Sequence, residues 1–220
     1  MKKYAIVIAG PSGAGKTTVA DSLIADLGTL EMSRSATTRA KRGDGRDNEY
    51  IYLQKDEFLA ALAEGDIVEH TEYSGNFYGT RKIELERIWD MNKNPILVLD
   101  YNGAKSLKEH LDCKVFAIYV YTTLAEAKAR LAAREAGTGA ADGGKAVVEK
   151  RTAENLADYK KLYTMADLFD AYVENDDLSN CIANAKAAIR KLEEGKEATA
   201  LVDKLRITNA FKRDADTFVG

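Results

Sequence analysis

Cysteine is scarce in this chain, and the two that occur, Cys113 and Cys181, form no close-spaced metal or redox pair. Both are expected to be buried thiols in a reducing compartment. Histidine is equally rare: His70 and His110 stand alone without partners at metal-ligand spacing, so ordinary structural roles are expected for both. The one tryptophan, Trp89, is expected to pack a helix. There is no basic excess, since 32 Lys and Arg face 35 Asp and Glu for a net charge of -3. That balance excludes the electrostatic footprint of a protein that binds a nucleic-acid polymer. No apolar run is long enough to cross a bilayer, and nothing resembles a signal peptide, so no membrane partner and a cytoplasmic location are expected. No internal repeat is visible. At 220 residues the chain is long enough for a sizeable core in one compact unit with subdomains.

The densest signal is Gly10-Pro11-Ser12-Gly13-Ala14-Gly15-Lys16-Thr17, which fits G-x-x-x-x-G-K-[ST] at every fixed position. A β-branched apolar run, Tyr4–Ala9, precedes it, and a segment with apolar residues at helical spacing, Thr18–Leu27, follows. Strand, glycine loop and helix together form a phosphate cradle. Successive backbone N–H groups point inward, and the helix start adds unpaired N–H groups and a positive dipole end. Lys16 is expected to reach the β- and γ-phosphates of a nucleoside triphosphate, and Thr17 to hold Mg²⁺ through its hydroxyl.

Strand and helix signals alternate along much of the chain. Pro95–Asp100 is an apolar run ending in a carboxylate, Val115–Tyr121 is nearly continuous apolar, and Phe169–Val173 is a shorter third run. Tyr119 and Tyr121 are expected to pack within their strand. Helical patterns cover Gly103–His110, Thr123–Ala136 and Leu178–Leu192. This rhythm predicts an α/β fold with a mostly parallel sheet flanked by helices. Residues 35–80 interrupt it with short strand-like runs, a helix around Phe58, and a hairpin turn within Tyr73–Tyr78, read as a small antiparallel insertion. The glycine-rich stretch 136–144 joins two helical patterns carrying Arg130, Arg134 and Arg151, a plausible lid. Beyond Leu192 a charged tail with scattered apolar residues is compatible with either an extra helix or a loose segment.

The insertion indicates the second substrate. Arg39 and Arg42, three apart in Ser35-Ala36-Thr37-Thr38-Arg39-Ala40-Lys41-Arg42, suit the bidentate grip of a phosphate. Glu69 can accept from a guanine ring N1–H and exocyclic amine, while a hydroxyl donates to O6. Adenine lacks that pattern.

Taken together, Ser35-x-Thr37-Thr38-Arg39-x-x-Arg42, Tyr50, Glu69 and Tyr73-Ser74-Gly75-Asn76-Phe77-Tyr78-Gly79-Thr80 resemble the guanylate kinase family. The phosphate loop, Asp100, the lid arginines and Asn175-Asp176-Asp177-Leu178 follow in the same order, over about residues 3–194. The resemblance implies a P-loop NTPase-type core (1–34, 81–125, 166–194), a mixed α/β GMP-binding insertion (35–80) and a helical lid (126–165). Residues 195–220 form an extension of unknown role.

It also implies the reaction ATP + GMP → ADP + GDP, with dGMP accepted, Mg²⁺ as cofactor, a place in purine nucleotide metabolism, and a monomer or homodimer. Residues 10–18 with Arg130, Arg134 and Asn175 would bind ATP, counting Thr18 among them. Ser35, Arg39, Arg42, Tyr50, Glu69, Tyr78, Gly79, Thr80 and Asp100 would bind GMP. Lys16, Arg39, Asp100, Arg134 and Arg151 would serve catalysis, and Asp100 would orient GMP and metal-bound water. One departure is Val98, where the family usually carries a second acidic residue. Two other readings are a phosphopeptide-binding scaffold domain of the same fold and a kinase for another monophosphate or a ribose phosphate. The retained Lys16, Thr17 and lid arginines disfavour the first, and Ser35, Glu69 and Thr80 the second.

Overall fold

The computed structural model describes residues 3–41, 47–73, 75–136 and 143–219, without the side chains of Tyr73 and Gly143. In chain order the elements are β1 (Tyr4–Ala9), α1 (Lys16–Leu27), β2 (Leu30–Met32), β3 (Ser35–Thr37), β4 (Tyr50–Tyr52), α2 (Lys55–Ala63), β5 (Ile67–Tyr73), β6 (Asn76–Arg81) and α3 (Lys82–Asp90). There follow β7 (Asn94–Val98), α4 (Tyr101–His110), β8 (Lys114–Tyr121), α5 (Leu124–Ala136), α6 (Gly143–Leu162), β9 (Ala171–Glu174), α7 (Leu178–Glu193) and α8 (Leu201–Thr217). A five-stranded parallel sheet in the order β2-β7-β1-β8-β9 is flanked by helices, as the alternating rhythm predicts. β1 is buried at every position, as a strand covered on both faces must be.

The chain divides into two compact units, Met1–Val7 with Leu23–Val115, and Ile8–Ser22 with Phe116–Gly220. The first carries a four-stranded sheet ordered β4-β3-β6-β5. Its hairpin pairs Tyr73 with Asn76, where the sequence marks a tight turn. The expectation of purely antiparallel strands needs correction, because β3 and β4 pair in parallel, with Ser35 opposite Tyr50 and Thr37 opposite Tyr52. The long connection between them, residues 38–49, allows the crossover that a parallel pair requires. This sheet has its own small core of Ala36, Phe58, Ala61 and Ile67, with Phe77 stacked on Phe58 at 5.5 Å.

Also in the first unit, Glu84 of α3 is 2% exposed and meets Arg34 at 2.9 Å and Arg87 at 2.8 Å. These partners outweigh the effect of burial and hold its carboxyl down at about 2. Trp89 packs α3, its indole N–H donating to the Tyr4 carbonyl at 3.1 Å. Asp100 needs a positional correction. β7 ends at Val98, so Asp100 is not a strand end; it caps α4 by accepting the Gly103 N–H at 2.8 Å.

In the second unit α6 turns one face inward through Val148, Thr152, Asn155, Tyr159 and Leu162. The tail beyond residue 194 is structured: α8 buries Thr208, Phe211 and Ala215. Tyr119 and Tyr121 pack as expected, with the Phe211 ring 5.9 Å from the first and 4.7 Å from the second. Cys181 lies buried on the apolar face of α7. Cys113 departs from expectation. It is only partly buried, in the turn between α4 and β8 where the chain runs along the surface. Burial pushes both thiols up to about 11, leaving them largely protonated and unreactive near neutrality.

Candidate active site

The glycine loop belongs to the second unit and is held from three sides. Asn155 of α6 grips Ser12 twice, accepting its N–H at 2.8 Å and donating to its carbonyl at 2.9 Å. Asn175 donates its side-chain amide to the Ala14 carbonyl at 2.7 Å, while Arg130 donates to the Asn175 carbonyl at 3.0 Å. Gly13 sits at φ +88°, and a Cβ there would lie 2.5 Å from the Ala127 carbonyl oxygen. Only glycine allows that conformation and that approach to α5 together.

Lys16 closes back on its own loop, donating to the Gly10 and Pro11 carbonyls at 2.9 and 3.0 Å. Thr17 and Thr18 lie exposed on the first turn of α1. The loop thus presents an ammonium, backbone N–H groups and an exposed hydroxyl at a helix start, the set that suits a polyphosphate with its metal.

Of the lid arginines, Arg130 reaches the loop through Asn175 and also bonds Glu126 at 2.9 Å. Arg134 is exposed and bonded to its neighbour Glu135 at 3.1 Å, and Arg151 is partly exposed on α6. The glycine-rich segment 137–142 between them lies outside the described residues.

The first unit holds a second constellation. Glu69 on β5 is 5% exposed and accepts the Thr80 hydroxyl of β6 at 2.6 Å. Burial pushes its carboxyl up to about 7, with the Thr80 hydrogen bond opposing and nearby Asp100 reinforcing the rise. A Cβ on Gly103 would lie 3.2 Å from Glu69 Oε2 and 3.4 Å from Asp100 Oδ1, so the first turn of α4 comes close to both carboxylates because it carries a bare backbone there.

Just beyond β3, the Arg39 guanidinium lies 5.2 Å from the Tyr50 ring and 6.0 Å from the Tyr52 ring. The Tyr50 and Tyr78 rings are 6.3 Å apart. Among the described residues, Arg39 Nη1 is buried with no hydrogen-bond partner. Leaving such a donor unmade costs about 1–3 kcal/mol, which an anion accepting from it would recover. Ser35 lies on β3 and Gly79 beside Thr80 on β6, so both belong to the same sheet. Arg42 lies outside the described residues.

Two participants escaped the sequence reading. Asn155 is a polar amide on an otherwise largely apolar helical stripe, a signal that something is bonded there but not what. Tyr52 joins the Arg39 cluster, its hydroxyl donating to Asp47 at 2.7 Å. Its pairing with Thr37 follows from the parallel register that the sequence did not reveal. His70 and His110 are both exposed, and His110 Nδ1 donates to the Ser106 carbonyl at 2.8 Å.

The family model for guanylate kinase matches residues 2–192. This chain belongs to the guanylate kinase family. It is 37% identical to a guanylate kinase of Porphyromonas gingivalis over 188 residues, covering 84% of this chain and 95% of that one. It is 34% identical to a guanylate kinase of Clostridium perfringens over 203 residues, 92% of this chain and 84% of that one. The crystal structure of guanylate kinase from Anaplasma phagocytophilum superposes with a TM-score of 0.60 at 26% identity, covering 90% of this chain and 89% of that one.

Proposed function

We infer that this guanylate kinase family member transfers the γ-phosphoryl group of ATP to GMP, giving ADP and GDP, and that it accepts dGMP as well. The observation that carries the guanine reading is the buried Glu69 carboxylate joined to Thr80. Such a pair is worth keeping in an apolar site only if a ligand with matching N–H groups completes it. In its ionised form Glu69 accepts from guanine N1–H and the 2-amino group, while Thr80 and Ser35 complete the base edge. Arg39, Arg42 and the Tyr50 and Tyr78 hydroxyls take the GMP phosphate.

On the donor side, Lys16 leaves the Gly10 and Pro11 carbonyls for the β- and γ-phosphates as the loop N–H groups bind the anion. A GMP phosphate oxygen forms the new P–O bond as the bond from the γ-phosphorus to the β-bridging oxygen breaks, and the electron pair leaves with ADP. The attacking oxygen is already ionised, so no strong base is needed, and Asp100 orients rather than abstracts a proton. Arg130, Arg134 and Arg151 offset charge on the triphosphate and help exclude water.

The exposed Thr17 hydroxyl beside the loop fits Mg²⁺ arriving with ATP, since that ion keeps most of its waters and takes few protein ligands. Asp100 would act on it through water. Bound there, the metal neutralises phosphate charge. We place the protein in the cytoplasm; no helix among the described residues is long and apolar enough to cross a membrane.

The test is a panel of acceptors (GMP, dGMP, AMP, CMP and UMP) with ATP, with and without Mg²⁺, followed by ADP release. GMP and dGMP should dominate, and only with the metal. AMP, CMP or UMP outrunning GMP would overturn the base assignment, and no ADP from any acceptor would favour a binding module.

A further inference from the structure

Helix α8 lies wholly beyond the residues that the family model matches, yet its buried face leads to three points at which the glycine loop is held. Asp214 accepts the Leu124 N–H at 2.8 Å, satisfying a donor at the first turn of α5. That turn ends at Ala127, the residue against which Gly13 is pressed. Phe211 is 4% exposed, and its ring stands 4.8 Å from that of the fully buried Tyr159. Tyr159 donates its hydroxyl to the Thr122 carbonyl just ahead of α5. One helical turn before Tyr159, on the same face of α6, is Asn155, the residue that grips Ser12.

Phe211 also packs edge-on against Tyr121 at 4.7 Å. The Tyr121 carbonyl accepts the Asn175 N–H at 2.7 Å, and Asn175 in turn holds Ala14. Ser12, Gly13 and Ala14 are thus each linked to Asp214 or Phe211 through two intervening residues, on three separate routes.

We propose that α8 is a buttress of the phosphate loop, with Asp214 and Phe211 as positioning residues that set the loop's affinity for ATP. This rests on the reading of the loop as the ATP site. The residues touch no substrate. They hold the backs of the three elements that touch the loop, so their loss relaxes the cradle and leaves GMP recognition unchanged.

The test is steady-state kinetics of the full chain carrying Asp214→Ala, Asp214→Asn or Phe211→Leu, varying ATP and GMP separately. Asp214→Ala and Phe211→Leu should raise KM for ATP about threefold to tenfold, the scale of a lost helix cap felt at the ligand, with KM for GMP constant within about twofold. Asp214→Asn keeps an oxygen acceptor and should restore most of the loss. Equal changes in both KM values, or a lowered melting temperature with unchanged kinetics below it, would overturn the proposal.

If these variants fail to fold, hydrogen exchange of the unaltered protein decides. A magnesium-bound non-hydrolysable ATP analogue should slow exchange at Leu124 and along α8 as well as in the loop. Protection confined to the loop sinks the buttress alone, whereas no protection anywhere sinks the ATP reading with it.

Discussion

Glu69 shows how one side chain ties recognition to pH. Its carboxyl is raised to about 7 by burial, so between the ordinary carboxylate range and that value the folded protein holds a proton that the unfolded chain has released. Stability from this group is therefore fully present below about 4.5 and is lost as pH rises through about 7. GMP binding runs the other way, because only the ionised form accepts two N–H groups from guanine. KM for GMP should fall as pH rises from 6 to 8, and denaturant midpoints should decline over pH 5 to 7. A Glu69→Gln protein should lose both slopes and show a KM for GMP raised about tenfold or more. Lys16 has no such subtlety. Lys16→Ala should lower kcat by about a hundredfold or more, the scale of a lost transition-state contact, and wild-type turnover in that variant would refute its role.

Among the elements, β3 is small but carries much, with Ser35 and Thr37 on it and Arg39 just beyond. Its sheet rests on a core of only a few side chains around Phe58. Phe58→Ala should cost about 3–5 kcal/mol of stability, felt first in that sheet. Hydrogen exchange should accelerate across β3 to β6 before it does in α5 to α8, and KM for GMP should rise more than KM for ATP. Helix α3 is fastened by Glu84, whose carboxyl is held at about 2. A depressed carboxylate contributes above its unfolded value, so this fastening is present above about 4.5 and is lost as pH falls toward 2. Because Arg34 and Arg87 remain about 40% exposed, solvent screening limits the gain, and Glu84→Gln should cost only about 1–2 kcal/mol at pH 7 while flattening the acid limb of the stability curve.

For the molecule as a whole, the residues assigned to ATP fall in one unit and those assigned to GMP in the other. Substitutions in the glycine loop should thus move KM for ATP, and those around Arg39 should move KM for GMP. Arg39→Ala, which removes the guanidinium with its buried, unpaired Nη1, should raise KM for GMP by about 1–3 kcal/mol equivalent while sparing ATP, as separate titrations would show. Chelating Mg²⁺ with EDTA should abolish turnover while leaving the melting temperature of the nucleotide-free protein unchanged.

By itself the sequence determined the glycine loop, the alternating strands and helices, and the hairpin at Tyr73–Tyr78. Each is a local matter, set by residues a few positions apart and by the periods of strand and helix. Only the tertiary structure decided that β3 and β4 run parallel. It alone brought Asn155 to Ser12 and folded the tail so that Asp214 meets Leu124. Those outcomes depend on contacts between residues 90 or more positions apart, or on a parallel register reached through a crossover, and no local spacing encodes them.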